Sequence, residues 1–172
     1  MMPRLVVVLP LAPLTVGDTF LVRDWPLHVT VLAPFLTDAA PGMIAQAIIA
    51  AASAQTALRV VAGGRERFGR REDVPVTVLQ PDPGLTALHD LVVAAVRPFA
   101  ASPGEPAFTG TEFRAHVTDK HHARVPEGEA LLLGQIALVD MAPRAAATGR
   151  TVLATIALQP RPTARTDAPR RT

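Results

Sequence analysis

Leu5-Val6-Val7-Val8-Leu9 is an unbroken apolar run closed by Pro10, the pattern of a strand buried on both faces. Residues 10–24 carry no period and read as irregular. Leu27–Leu32 predicts a second strand, stopped by Pro34. Asp38 can cap a helix from Pro41 to about Ala54, built mostly of Ala and Ile. Leu58–Ala62 reads as a strand ended by Gly63-Gly64, with residues 65–73 as a polar loop. Val76–Leu79 predicts another strand. After Pro81-Asp82-Pro83-Gly84 comes a helix over Leu85–Val96, whose Leu85, Leu88, Leu91, Val92, Ala95 and Val96 form one apolar stripe. Residues 98–110 are a Pro/Gly loop, and Phe113–Thr118, Leu131–Val139 and Val152–Leu158 predict three more strands. This order, with strands following one another more often than helices alternate with them, predicts an α+β fold with antiparallel sheets.

With 172 residues and 49% hydrophobic positions, the chain is long enough for one domain with a real core. The expected division is a body over 1–160 and a disordered basic tail over 161–172. That tail holds Arg161, Arg165, Arg170 and Arg171 against Asp167, more than the whole net charge of +2. The body is then slightly acidic, which argues against a long nucleic acid held by counterion release. Cysteine is absent, so thiol chemistry and sulfur-ligated zinc are excluded. Pro10 and Pro13 interrupt the N-terminal apolar run, and no stretch reaches a membrane span. A cytoplasmic monomer with no membrane contact is the expectation. The scarcity of lysine, one against sixteen arginines, reads as a compositional habit of the genome.

One feature repeats. His28-Val29-Thr30 and His116-Val117-Thr118 lie 88 residues apart, each in a predicted strand. Side chains at i and i+2 of a strand share a face, so each His and Thr should point one way and the flanking apolar residues the other. Arg114 falls on the His116 face of its strand, either as added positive charge or as a solvent-facing residue.

Such a pair suits phosphodiester chemistry. Imidazole accepts and donates protons near neutral pH, so two of them flanking a phosphate can divide the work. One deprotonates the attacking water or hydroxyl and the other protonates the leaving oxygen. The Thr30 and Thr118 hydroxyls can donate hydrogen bonds to the non-bridging oxygens as charge grows. This scheme calls for no metal or other cofactor.

The paired His-x-Thr strands, their spacing and the order of elements resemble the 2H phosphoesterase superfamily, in its 2′-5′ RNA ligase-like branch, over about residues 4–159. The resemblance implies a bilobal, pseudo-two-fold α+β fold in which two antiparallel sheets form a central cleft with helices outside. It implies His28, Thr30, His116 and Thr118 as catalytic residues. It also implies metal-independent hydrolysis or ligation at 2′,3′-cyclic phosphates or 2′-5′ phosphodiester bonds, with an RNA end or a small nucleotide as partner. Two features depart from the pattern: Asp119 follows the second motif where an apolar residue is usual, and the chain has no tyrosine and only Trp25 as tryptophan. Phe35, Phe68, Phe108 and Phe113 are the remaining aromatics that could meet a base, with Phe35, Phe68 and Arg114 as the expected substrate-binding residues. Most of these phenylalanines are equally at home in a core.

His121-His122 could suggest a metal, but Asp119 is the only nearby carboxylate in the sequence, and a solvated loop pair is the simpler reading. His89 lies off the apolar stripe of its helix and is expected at the surface. Two readings from different classes remain open: an enzyme, or a non-catalytic nucleotide- or RNA-end-binding module with the same cradle. A third is a structural domain whose repeat is coincidental.

Overall fold

The computed structural model describes residues 2–110, 112–142 and 149–163. From residue 164 onward the expected basic tail lies outside the described residues. Among the described residues, nine strands and three α-helices follow one another: β1 (Arg4–Pro10), β2 (Thr19–Phe20), β3 (His28–Leu36), α1 (Pro41–Ala52), β4 (Leu58–Phe68), β5 (Val74–Leu79), α2 (Pro83–Val96), α3 (Pro106–Thr109), β6 (His116–Thr118), β7 (Ala130–Leu133), β8 (Gln135–Asp140) and β9 (Arg150–Ala157). The α+β class is as expected, and every strand pairing is antiparallel.

The strands join in a single order, β2-β9-β8-β1-β3-β6-β5-β4-β7, where two separate sheets were expected. The halves meet at β3 and β6, through one residue pair, Val29 opposite Val117. The junction of the ladder is therefore the centre of both repeated tripeptides.

Strand β1 is covered on both faces, as its unbroken apolar run predicts. Leu5, Val7 and Leu9 join the main core with Ile44 and Ile48 of α1 and Leu85, Leu88, Val92 and Val96 of α2. Val6 and Val8 turn to the opposite face, where they meet Leu14, Trp25, Ala137, Val139 and Val152. Burial of each such aliphatic side chain contributes about 1.5–3 kcal/mol. Helices α1 and α2 pack on each other, α1 against β9 and α2 against β3, so both cover one face of the sheet. Among the described residues no helix is long and apolar enough to cross a membrane.

Several boundaries differ from the pattern-based expectation. Strand β3 passes Pro34 and reaches Leu36. Strand β4 does not stop at Gly63-Gly64 but runs on to Phe68, so the polar loop expected over 65–73 shrinks to a hairpin turn. The register shifts between Ala62 and Arg65, and a Cβ on Gly63 would lie 2.8 Å from the Val78 carbonyl oxygen. The glycines thus mark a bulge in a continuing strand, where one backbone passes close to another. The run Leu131–Val139 is two strands: β7 pairs with β4 in one half, and after Gly134 β8 pairs with β1 and β9 in the other. Residues 10–24 include the short β2, and Ala40 rather than Asp38 is the cap of α1, with no side-chain bond. The strand expected over Phe113–Thr118 is reduced to His116–Thr118.

Candidate active site

Alternation along β3 and β6 decides which side chains share a face. Val29, Val31 and Val117 belong to the main core, on the helix side. His28, Thr30, His116 and Thr118 consequently lie on the opposite face, all half-buried. Antiparallel pairing about Val29 and Val117 sets His28 across from Thr118 and Thr30 across from His116. The two histidines are then diagonal neighbours, a relation that separates Cα atoms by roughly 7–8 Å. Both threonine hydroxyls lack a hydrogen-bond partner among the described residues.

Each histidine is held in the same way. His28 Nδ1 donates to the Pro26 carbonyl and His116 Nδ1 to the Arg114 carbonyl, both at 2.8 Å and both two residues upstream. Using Nδ1–H on the backbone leaves Nε2 as the ring atom that can exchange a proton with a ligand. An aromatic ring steadies each imidazole. Trp25 lies against His28 with centroids 4.0 Å apart, and Phe68 meets His116 edge-on at 4.7 Å. Cations complete both halves: Lys120 and Arg150 sit 5.9 and 5.5 Å from the Trp25 ring, and Arg114 sits 5.2 Å from the Phe68 ring.

The electrostatics of the two halves differ. Burial pushes the His28 imidazole down to about 4, the Pro26 hydrogen bond opposes the shift, and the positive charge of Lys120, His116 and Arg150 adds to it. Lys120 is itself lowered, first by burial and then by Arg150. Burial also lowers Arg150, against the pull of Asp140. Lys120 and Arg150 thus supply the local positive field beside His28, a field suited to an anion.

The other expected residues separate. Phe68 is in the cluster, on His116. Arg114 stacks on Phe68 and pairs with Glu66, leaving it at the rim of the site. Phe35 is fully buried and packs edge-on against Phe108, so the expected stacking role is corrected to a core role. Its strand explains this: Phe35 faces the helices, with Val29 and Val31, away from the histidines. His89 is not at the surface; it is half-buried, and its Nδ1 donates to the Val31 carbonyl at 2.6 Å. His121 is edge-on to His122 and 3.6 Å from Asp24.

The repeated tripeptide does not point to Trp25, Lys120 or Arg150. The first two do carry a signal in the sequence, as the chain's only tryptophan and only lysine, each within four residues of a motif histidine. Arg150 carries none, since it comes from a distant strand and is one arginine of sixteen.

The family model for the 2′-5′ RNA ligase superfamily matches residues 13–145. Among solved structures, the chain is similar to E. coli LigT complexed with 3′-AMP (17% identity, TM-score 0.56, covering 92% of this chain and 99% of that one). It is similar to TT0787 of Thermus thermophilus (18% identity, TM-score 0.58, covering 91% and 98%). A further structure described as a phosphoesterase aligns at 18% identity with a TM-score of 0.57, covering 91% of this chain and 99% of that one. No curated protein sequence matches.

Proposed function

The chain belongs to the 2′-5′ RNA ligase superfamily, of the 2H phosphoesterase type, and from that premise we propose that it is a phosphoesterase acting on 2′,3′-cyclic phosphates or 2′-5′ phosphodiester bonds of nucleotides or RNA ends. One observation carries the reading. Two imidazoles with the same Nδ1 tether occupy diagonal positions on one sheet face, each beside a threonine hydroxyl from the facing strand.

In this mechanism the substrate phosphate lies between the histidines. His28 is neutral at pH 7 and its Nε2 accepts the proton of the attacking water. The water oxygen forms a bond to phosphorus while the bond to one ribose oxygen breaks. That oxygen takes a proton from Nε2–H of His116, giving a phosphomonoester and a free hydroxyl. The proton on His28 returns to His116 through solvent, which closes the cycle. Thr30 and Thr118 donate to the non-bridging oxygens, and Lys120 and Arg150 offset the negative charge. The chemistry is positioning, two proton transfers and charge stabilisation.

The test is product analysis with purified protein on 2′,3′-cyclic nucleotides and 2′-5′-linked dinucleotides, with and without a strong chelator. Chelator-resistant release of a phosphomonoester supports the reading. Tight binding of the same ligands without turnover would mean a binding module, and activity restored only by added metal would contradict the proton-transfer scheme.

A further inference from the structure

Thr30 and His116 also line a cavity of about 380 Å³, bounded by β3, α2 and the stretch from Pro106 to Arg114. It arises because β3 and β6 are joined only at Val29 and Val117, so the sheet opens past Thr30. Val31 is the extra residue of a bulge in β3, between the partners of Val7 and Val8, and His89 of α2 satisfies its carbonyl. The His89 ring lies flat on Phe113, with centroids 4.1 Å apart and 1° between planes.

Thr30 and His116 stand at the phosphate end of this cavity, and the polar groups beyond them lean towards acceptors. The Val31 carbonyl uses His89 Nδ1–H, so Nε2 is the ring nitrogen left without a protein partner among the described residues. Two cations of the lining are committed to the protein: Arg97 donates to the Phe108 carbonyl, and Arg114 pairs with Glu66. Asp90 and Glu112 are exposed and have no ion-pair partner among the described residues. What remains for a ligand is a flat aromatic platform flanked by acceptors and negative charge. Asp90 and Glu112 outnumber the one lining cation without a carboxylate partner among the described residues, Arg97, so the lining favours a planar group bearing N–H donors over a second phosphate.

We propose that this cavity is the nucleobase subsite of the substrate, selective for a base with an exocyclic amino group. Its volume lies at the small end of ligand pockets, about 300–1,000 Å³, which suits one nucleoside rather than an oligonucleotide. The proposal rests on the phosphoesterase reading for its substrate but not for its test.

The test uses adenosine and purine riboside, which differ only in the 6-amino group and share an unprotonated N1. Affinities of wild type for the two 3′-monophosphates are measured by calorimetry, alongside kcat/KM for the two 2′,3′-cyclic phosphates. The expected preference for adenosine is about tenfold, the effect of one charge-assisted hydrogen bond in a partly exposed site. In Asp90→Ala/Glu112→Ala that ratio should fall toward one. Both positions are exposed, and a thermal melt checks that the variant folds. Because each comparison is a ratio, a general change in phosphate affinity from removing two carboxylates cancels. Equal affinities in wild type, or a preference that survives in the variant, overturns the subsite. Turnover of a base-free cyclic ribose phosphate by wild type reports separately on the phosphoesterase reading. If that substrate and both nucleotides are inert while the binding preference and its loss in the variant hold, the subsite stands and the catalytic reading falls.

Discussion

The low pKa of His28 has a direct effect on folding. An unperturbed imidazole titrates near 6.5, whereas His28 in the folded chain titrates at about 4. Between these values the unfolded chain binds the proton and the native chain does not, so stability rises with pH across this window and is lost on acidification. The contribution is fully present above the unfolded value, near 6.5, and disappears as pH falls through the folded value, near 4. Integrating the linkage relation gives a loss of about 2 kcal/mol between pH 7 and pH 5, and about 3 kcal/mol by pH 4. That is a sizeable part of the 5–15 kcal/mol typical of a domain. The assay is urea unfolding of wild type and His28→Gln at pH 7, 6, 5 and 4.5. Carboxylates and the other histidines titrate in both proteins, so the difference between the two isolates His28. The wild-type curve should fall more steeply than the variant's by about 2 kcal/mol at pH 5. Parallel curves would refute the burial and charge argument, and with it the assignment of His28 as the proton acceptor at neutral pH.

Three further outcomes are expected. Lys120→Met should weaken binding of nucleoside monophosphates and flatten its salt dependence, because a cation is lost from the proposed phosphate site; it should also raise the His28 pKa seen by NMR. Gly63→Ala should destabilise the fold by about 1–3 kcal/mol in denaturant unfolding, since its Cβ meets backbone that cannot step aside, while Gly64→Ala, with open space around it, should be nearly neutral. Thr77→Val should cost about 1–3 kcal/mol by the same measurement, because Thr77 is fully buried and its hydroxyl donates to the Val125 carbonyl at 3.0 Å.

Period and spacing reveal some parts of this molecule and hide others. The two-faced burial of β1, the apolar stripe of α2 and the sharing of one face by each His and Thr all follow from local alternation. Where the chain departs from local rules, the sequence misleads. Gly63-Gly64 looks like a stop, yet the strand continues because Val78 approaches from β5, a contact that no window around residue 63 contains. Leu131–Val139 reads as one strand because both of its halves are apolar, although their partners lie in different halves of the sheet. Phe35 looks like an aromatic available to a base, yet it shares the alternation of Val29 and Val31 and packs with them in the core. The positively charged side of the site is made by Lys120 and Arg150, which come from a loop and a distant strand that meet only in three dimensions.

The central claim is that His28 and His116 transfer protons to and from a phosphate ester. The most direct test is the steady-state and single-turnover kinetics of wild type, His28→Ala and His116→Ala on a nucleoside 2′,3′-cyclic phosphate, with ligand affinity measured on the same proteins. Each substitution should lower the chemical step by about 10²–10⁴ while affinity changes far less. Rates unaffected by either substitution, or losses that lie wholly in affinity, would contradict the account.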